Sequence, residues 1–216
     1  MISGRPIGAA RTTLTAAAVV LGLIACGRAT ATEPSPQPPS SAQGGRPLAS
    51  EPSPQDRKKA LGSLYDLLAT LHTEAESTQV VKAIEQLWLD SGSDTIDLLM
   101  SRATDALTDS DNSTARQLLG AVTKLAPDYA EGWNRRAALN FSEEHYEDAL
   151  SDLARALKSD PRHFGALEGL AQTLKQLGRD ALALKAFRQL QKAYPGSPGA
   201  EAGINELERK VEGQKI

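Results

Sequence analysis

The chain has 216 residues, of which 40% are hydrophobic, enough to build a sizeable core. Its 24 basic and 27 acidic residues leave a net charge of −3, which does not supply the basic field that nucleic-acid binding requires. Cys26 is its single cysteine, so no disulfide can form within the chain.

Residues 1–26 read as a secretory signal peptide. Arg5 and Arg11 precede an apolar run of about a dozen residues, which is too short to span a bilayer. The leader carries two arginines and no acid, so its removal moves the net charge from −3 to −5. Two processing routes fit the end of the run. Leu23-Ile24-Ala25-Cys26 resembles the lipobox of bacterial lipoproteins, which implies lipid attachment at Cys26 and an anchored exported protein. Ala29-Thr30-Ala31 is an ordinary A-x-A cleavage site, which implies a protein free in the periplasm. Residues 27–56 are rich in proline, serine and glycine and predict a disordered linker. Fully extended, such a stretch spans about 90 Å.

From residue 57 the pattern becomes helical. Ala60, Leu61, Leu64, Leu67, Leu68 and Leu71 form one apolar stripe, and Val80, Val81, Ile84, Leu87 and Trp88 form another. Together they predict a helix pair over 57–95, broken at the polar run HTEAEST. Three segments of 34 residues follow, 96–129, 130–163 and 164–197. Ala103, Ala137 and Ala171 occupy one aligned position, Ala115, Ala149 and Ala183 a second, and Leu119, Leu153 and Phe187 a third. Pro127, Pro161 and Pro195 close the units, where proline stops a helix and starts a turn. Small residues belong where two antiparallel helices cross closely, and large ones fill the gaps around them. The run AEAGINELERKVEG predicts one final helix over 199–213, of the kind a solenoid end needs. The expectation is about nine helices and no strands.

The period, with Trp133, Ala137, Tyr146, Ala149, Leu153, Ala156 and Pro161 in the middle unit, resembles the tetratricopeptide repeat. The third unit matches through Leu167, Leu170, Ala171, Gly178, Ala183, Phe187 and Pro195, the first more loosely. The resemblance implies an all-α, right-handed superhelical solenoid of antiparallel helix pairs with 57–95 as a degenerate first pair. It also implies a concave groove lined by the first helix of each pair. Carried over, those positions are Asp97, Met100, Thr104 and Leu107; Glu131, Asn134, Ala138 and Phe141; and Gly165, Glu168, Gln172 and Lys175. Family members that clamp acidic C-terminal tails need lysines and asparagines at several of these places. Only Asn134 and Lys175 approach that requirement, so acidic tails are not the implied ligand.

Catalytic and metal signals are absent from the sequence. No phosphate loop or G-x-S-x-G occurs, and His72, His145 and His163 fall in separate units, reading as surface histidines near helix ends. Asp94 and Asp97 read as the capped start of a helix, and the carboxylates of SEEHYED as a solvated turn. Neither a cofactor nor a small-molecule substrate is implied, and no enzyme is expected. Arg102 and Arg136 occupy the seventh position of successive units, and Asn140 the eleventh of one, where the family pattern places apolar residues. Stacked units would bring the arginines together facing inward, in an internal ion-pair network or an anion pocket, with Asp105, Glu143 and Asp148 as partners. Two functions follow from the resemblance: a binding module for a peptide or partner helix in the cell envelope, or a scaffold lipoprotein of an envelope assembly.

Overall fold

The computed structural model describes residues 53–213, and Cys26 and the leader lie outside them. Nine helices and no strand occur among the described residues: α1 (Pro54–Leu68), α2 (Glu74–Leu89), α3 (Asp94–Thr108), α4 (Asn112–Leu125), α5 (Ala130–Ser142), α6 (Tyr146–Ser159), α7 (Phe164–Gln176), α8 (Asp180–Ala193) and α9 (Pro198–Gly213). Helix α1 begins within the stretch expected to be linker. Pro54 stands in its first turn, and Ser53 forms a reciprocal capping box with Asp56. Thr73 and Glu76 form the same box at the start of α2. The break between the two helices is therefore Ala69–Thr73, and most of the polar HTEAEST run is helical.

Helices α3 to α8 form three antiparallel pairs stacked in sequence, with α9 packed on α8. The aligned alanines explain the close crossings. Ala103, Ala115, Ala137, Ala149, Ala171 and Ala183 are each at most 1% exposed. Leu119, Leu153 and Phe187 fill the space beside them and are equally buried. Ala149→Leu is expected to overpack the α5–α6 crossing and cost about 1–3 kcal/mol in chemical denaturation. An unchanged midpoint would mean that the helices do not meet there.

The turn inside each pair repeats as well. Ser110, Glu144 and Gly178 have φ of 61°, 62° and 68°, at positions 34 residues apart. In each turn the next residue's N–H reaches back into the preceding helix, as from Asp111 to the carbonyl of Ala106 and from His145 to that of Asn140. Only glycine adopts this left-handed conformation without a steric penalty. Ser110→Gly and Glu144→Gly are each expected to raise stability by about 0.5–1 kcal/mol, and Gly178→Ala to lower it similarly, by urea titration. Loss of stability in both glycine variants would contradict the turn geometry.

The first pair departs from the expected stack. Helices α1 and α2 pack on each other but not along α3 or α4. They lie instead as a strap across the loops that join one pair to the next. Tyr65, Leu68, Ile84 and Trp88 share a core with Phe164, Leu167, Phe187, Leu190 and Tyr194. The Tyr129 hydroxyl donates to the Trp88 carbonyl at 2.6 Å, and the Ser77 hydroxyl bonds the Tyr194 hydroxyl at 3.0 Å. The Tyr65 hydroxyl donates to Asp160 at 2.5 Å, and Trp88 Nε1 donates to Tyr65 at 2.8 Å. Arg162 pairs with Asp66 at 2.6 Å and lies over the Tyr65 ring. Gly196 passes so close to Thr73 that a Cβ there would stand 2.7 Å from the Thr73 carbonyl oxygen. The α4–α5, α6–α7 and α8–α9 loops thus all touch the strap.

Candidate peptide-binding groove

Residues Tyr129, His163 and Ser197 are 34 apart, and each immediately precedes the first helix of a unit. His163 is fully buried, not the surface histidine expected from its isolation in the sequence. Its ring stacks on Trp88 at 3.7 Å with an interplanar angle of 9°. Its Nδ1 accepts from the Ala166 N–H at 3.2 Å, which caps α7. That assigns the proton to Nε2, which donates to Glu131 at 3.1 Å. Glu131 also accepts from Asn134 at 2.9 Å and Arg135 at 2.5 Å. Burial pushes the Glu131 carboxyl up, but the hydrogen bond from His163, with the hydrogen bond and charge of Arg135, holds it below its usual value. Glu131 therefore locks α5 to α7 beneath the strap and is withdrawn from any ligand.

Beside this lock, α5 and α7 enclose a groove of about 360 Å³. Asn134, Ala138 and Phe141 line one wall, and Gly165, Glu168 and Gln172 the other, with Ala137, Leu153, Gly169 and Thr173 below. Gly165 and Gly169 keep the α7 wall low. Phe141 packs edge-on against Tyr146 with ring centroids 5.4 Å apart, which holds its ring in place at the rim.

The remaining positions of the expected concave face are elsewhere. Met100 is buried with Ile96, Ala103, Ala106 and Leu119, so it belongs to the core of the first repeat. Thr104 is exposed and bonds the Met100 carbonyl of its own helix. Leu107 packs against that same core. Asp97 turns toward the α2–α3 loop, where it accepts from the Ser91 N–H at 2.9 Å. Lys175 is held by Glu206 of α9 at 2.6 Å. The groove is thus built by α5 and α7, without α3.

The arginine positions separate. Arg136 makes two bonds to Asp152, at 2.5 and 2.8 Å, and a third to the Thr123 hydroxyl at 2.9 Å. Asn140 donates to Asp152 at 3.0 Å and accepts from Arg116 at 2.9 Å, and Arg116 pairs with Glu143. Arg102 is exposed and takes no part in this network. The aligned counterpart of Asp152 in the first unit is Leu118, so nothing there can hold a guanidinium. The counterpart of Thr123 is Leu89 at the end of α2, which has no hydroxyl to offer. Among the described residues, neither Asp105 nor Asp148 makes an ion pair. The Arg116 and Arg136 guanidinium groups are thus both paired with carboxylates inside the network. Among the described residues, no cluster of ligating side chains could hold a metal ion, and no helix is long and apolar enough to cross a membrane.

Stacked antiparallel pairs, alanines at each crossing and an inner groove define a helical-repeat solenoid. The tetratricopeptide repeat family is matched over residues 141–198. A TPR repeat-containing protein of Rhizobium etli is 36% identical over 181 residues, covering 84% of this chain and 89% of the relative. The chain belongs to the tetratricopeptide-repeat family. Among solved structures, the TPR domain of Sgt2 from Aspergillus fumigatus superposes with a TM-score of 0.54 at 23% identity, covering 57% of this chain and 83% of that one. The Yersinia enterocolitica type III secretion chaperone SycD, solved with a peptide of the translocator YopD, superposes with a TM-score of 0.52 at 17% identity, covering 55% and 96%.

Proposed function

We infer that the chain is a non-enzymatic protein-interaction module that seats a peptide or partner helix in the α5–α7 groove. The observation that carries this reading is the state of the groove's side chains. Ala138, Phe141, Glu168 and Gln172 line it without hydrogen bonds to the rest of the described chain, whereas Glu131, Lys175 and Arg136 are all committed to internal partners. SycD, which shares the fold, holds a peptide, and that supports the same use here. The leader and the Leu23-Ile24-Ala25-Cys26 run support placement in the cell envelope, with the proline-rich stretch as spacer. A lipid on Cys26 is expected to appear as an acylated mature N-terminus in mass spectrometry; an unmodified terminus at Thr32 would leave a free periplasmic protein.

A scaffold reading has its own observation. Leu125 and Leu182, on second helices of their pairs, are 64% and 54% exposed, and a partner docked on the outer face would cover them. Site-specific photo-crosslinking in the native envelope separates the two. A crosslinker at Ala138 is expected to capture a partner that one at Leu182 does not. Capture from Leu182 alone would transfer the interaction to the outer face.

A further inference from the structure

The proposed groove holds one charge, and that charge has no partner among the described residues. Of its ten lining residues only Glu168 is ionisable. Glu168 is partly buried, and no hydrogen bond or ion pair reaches its carboxylate from the described residues. Burial pushes its pKa up, which reflects the cost of holding an anion with too little solvent around it. Two cations on α5 and α7 are paired elsewhere. Lys175, two turns further along α7, is bound by Glu206, and Arg135 by Glu131. On the C-terminal side the start of α9 closes the space, because a Cβ on Gly199 would lie 2.5 Å from Glu168 Oε1. The positive end of α9 offsets part of the charge without removing the opening toward the groove.

The rest of the lining is neutral. Asn134 keeps its side-chain oxygen free, since only its amide group is used, toward Glu131. Gln172 can donate and accept, so both suit the backbone of an extended segment. Phe141 presents an aromatic face at the opposite wall. The geometry points to a partner segment carrying a lysine or arginine side chain on Glu168 beside an apolar side chain on Phe141. An acidic segment would bring a second anion to a half-buried carboxylate and be repelled. This inference rests on the groove reading above.

The test is a random-peptide library displayed with both ends blocked, panned on the full-length chain and, in parallel, on its Glu168→Gln and Phe141→Ala variants. The expected pool is enriched in Lys or Arg close to Leu, Met or Phe. A fluorescein-labelled consensus peptide from it should bind the Glu168→Gln chain at least about tenfold more weakly in fluorescence polarisation. That difference should shrink as salt rises. Peptides that require Phe141 yet bind Glu168→Gln equally, or a pool enriched in acidic residues, would overturn the cation and leave the groove in place. No enrichment, or a pool indifferent to both substitutions, would overturn the groove reading together with it.

Discussion

Trp88→Ala is expected to cost about 3–5 kcal/mol, as large aromatic truncations in a core do. The side chain is 9% exposed, stacks on His163, and lies 4.5 Å from the Phe164 ring centroid. Its Nε1 also anchors the Tyr65 hydroxyl. Removing it opens a cavity where the strap crosses the loop between α6 and α7, and leaves His163 with one face uncovered. Thermal unfolding should show Tm lower by roughly 10 °C, at a few degrees per kcal/mol for a domain of this size. Hydrogen exchange should show the loss first at Asp160–Phe164 and in α1–α2, before the α3–α4 pair. Unchanged Tm and protection would mean that the strap is not part of the fold's stability.

Gly203→Leu should also destabilise the fold, through crowding instead of a cavity. A Cβ at Gly203 would stand 2.5–2.7 Å from three carbons of the Phe187 ring, and Phe187 is fully enclosed. The ring has nowhere to go, so α9 must lift from α8. Overpacking of this kind costs about 1–3 kcal/mol, and it also exposes Ile204 and Leu207, both buried in the present packing. Gly120→Leu is the control, because a Cβ at Gly120 meets nothing within 4 Å. Loss of helical content and an earlier denaturation midpoint are expected for the Gly203 variant alone. Equal behaviour of the two would indicate that α9 does not seal the end of the solenoid.

The alanine register was readable because close helix crossings tolerate one kind of side chain, and three units repeated it. The proline spacing and the final helix followed from the same period. The strap was not readable. Its apolar stripes announce that α1 and α2 must be covered, but periodicity does not say by what. Trp88 and His163 lie in separate segments of the chain, and their stacking is a tertiary fact. A signal did exist in the register, since His163 aligns with Tyr129 and Ser197 at the position that opens each first helix. Met100 lies outside the groove because its apolar side chain packs with Ile96, Ala103, Ala106 and Leu119 in the core of the first repeat. Arg102 stands apart from Arg136 because Leu118 occupies the place where Asp152 supplies an acid. Asn134, Ala138, Phe141, Glu168 and Gln172, which belong to the two well-matched units, lie together.

The strap also bears on how the chain reaches its fold. An array in which each pair touches only its neighbours can nucleate anywhere and propagate. Here Tyr65 bonds Asp160 and Ser77 bonds Tyr194, across 95 and 117 residues. Such long closures delay folding, because chain entropy is spent before distant contacts repay it. At about 5–20 residues per second, the ribosome needs several seconds to over twenty to deliver the surface that α1–α2 covers. Until Tyr194 emerges, Leu68, Ile84 and Trp88 have no complete seat, and α1 and α2, made before the other described helices, are the last to be secured.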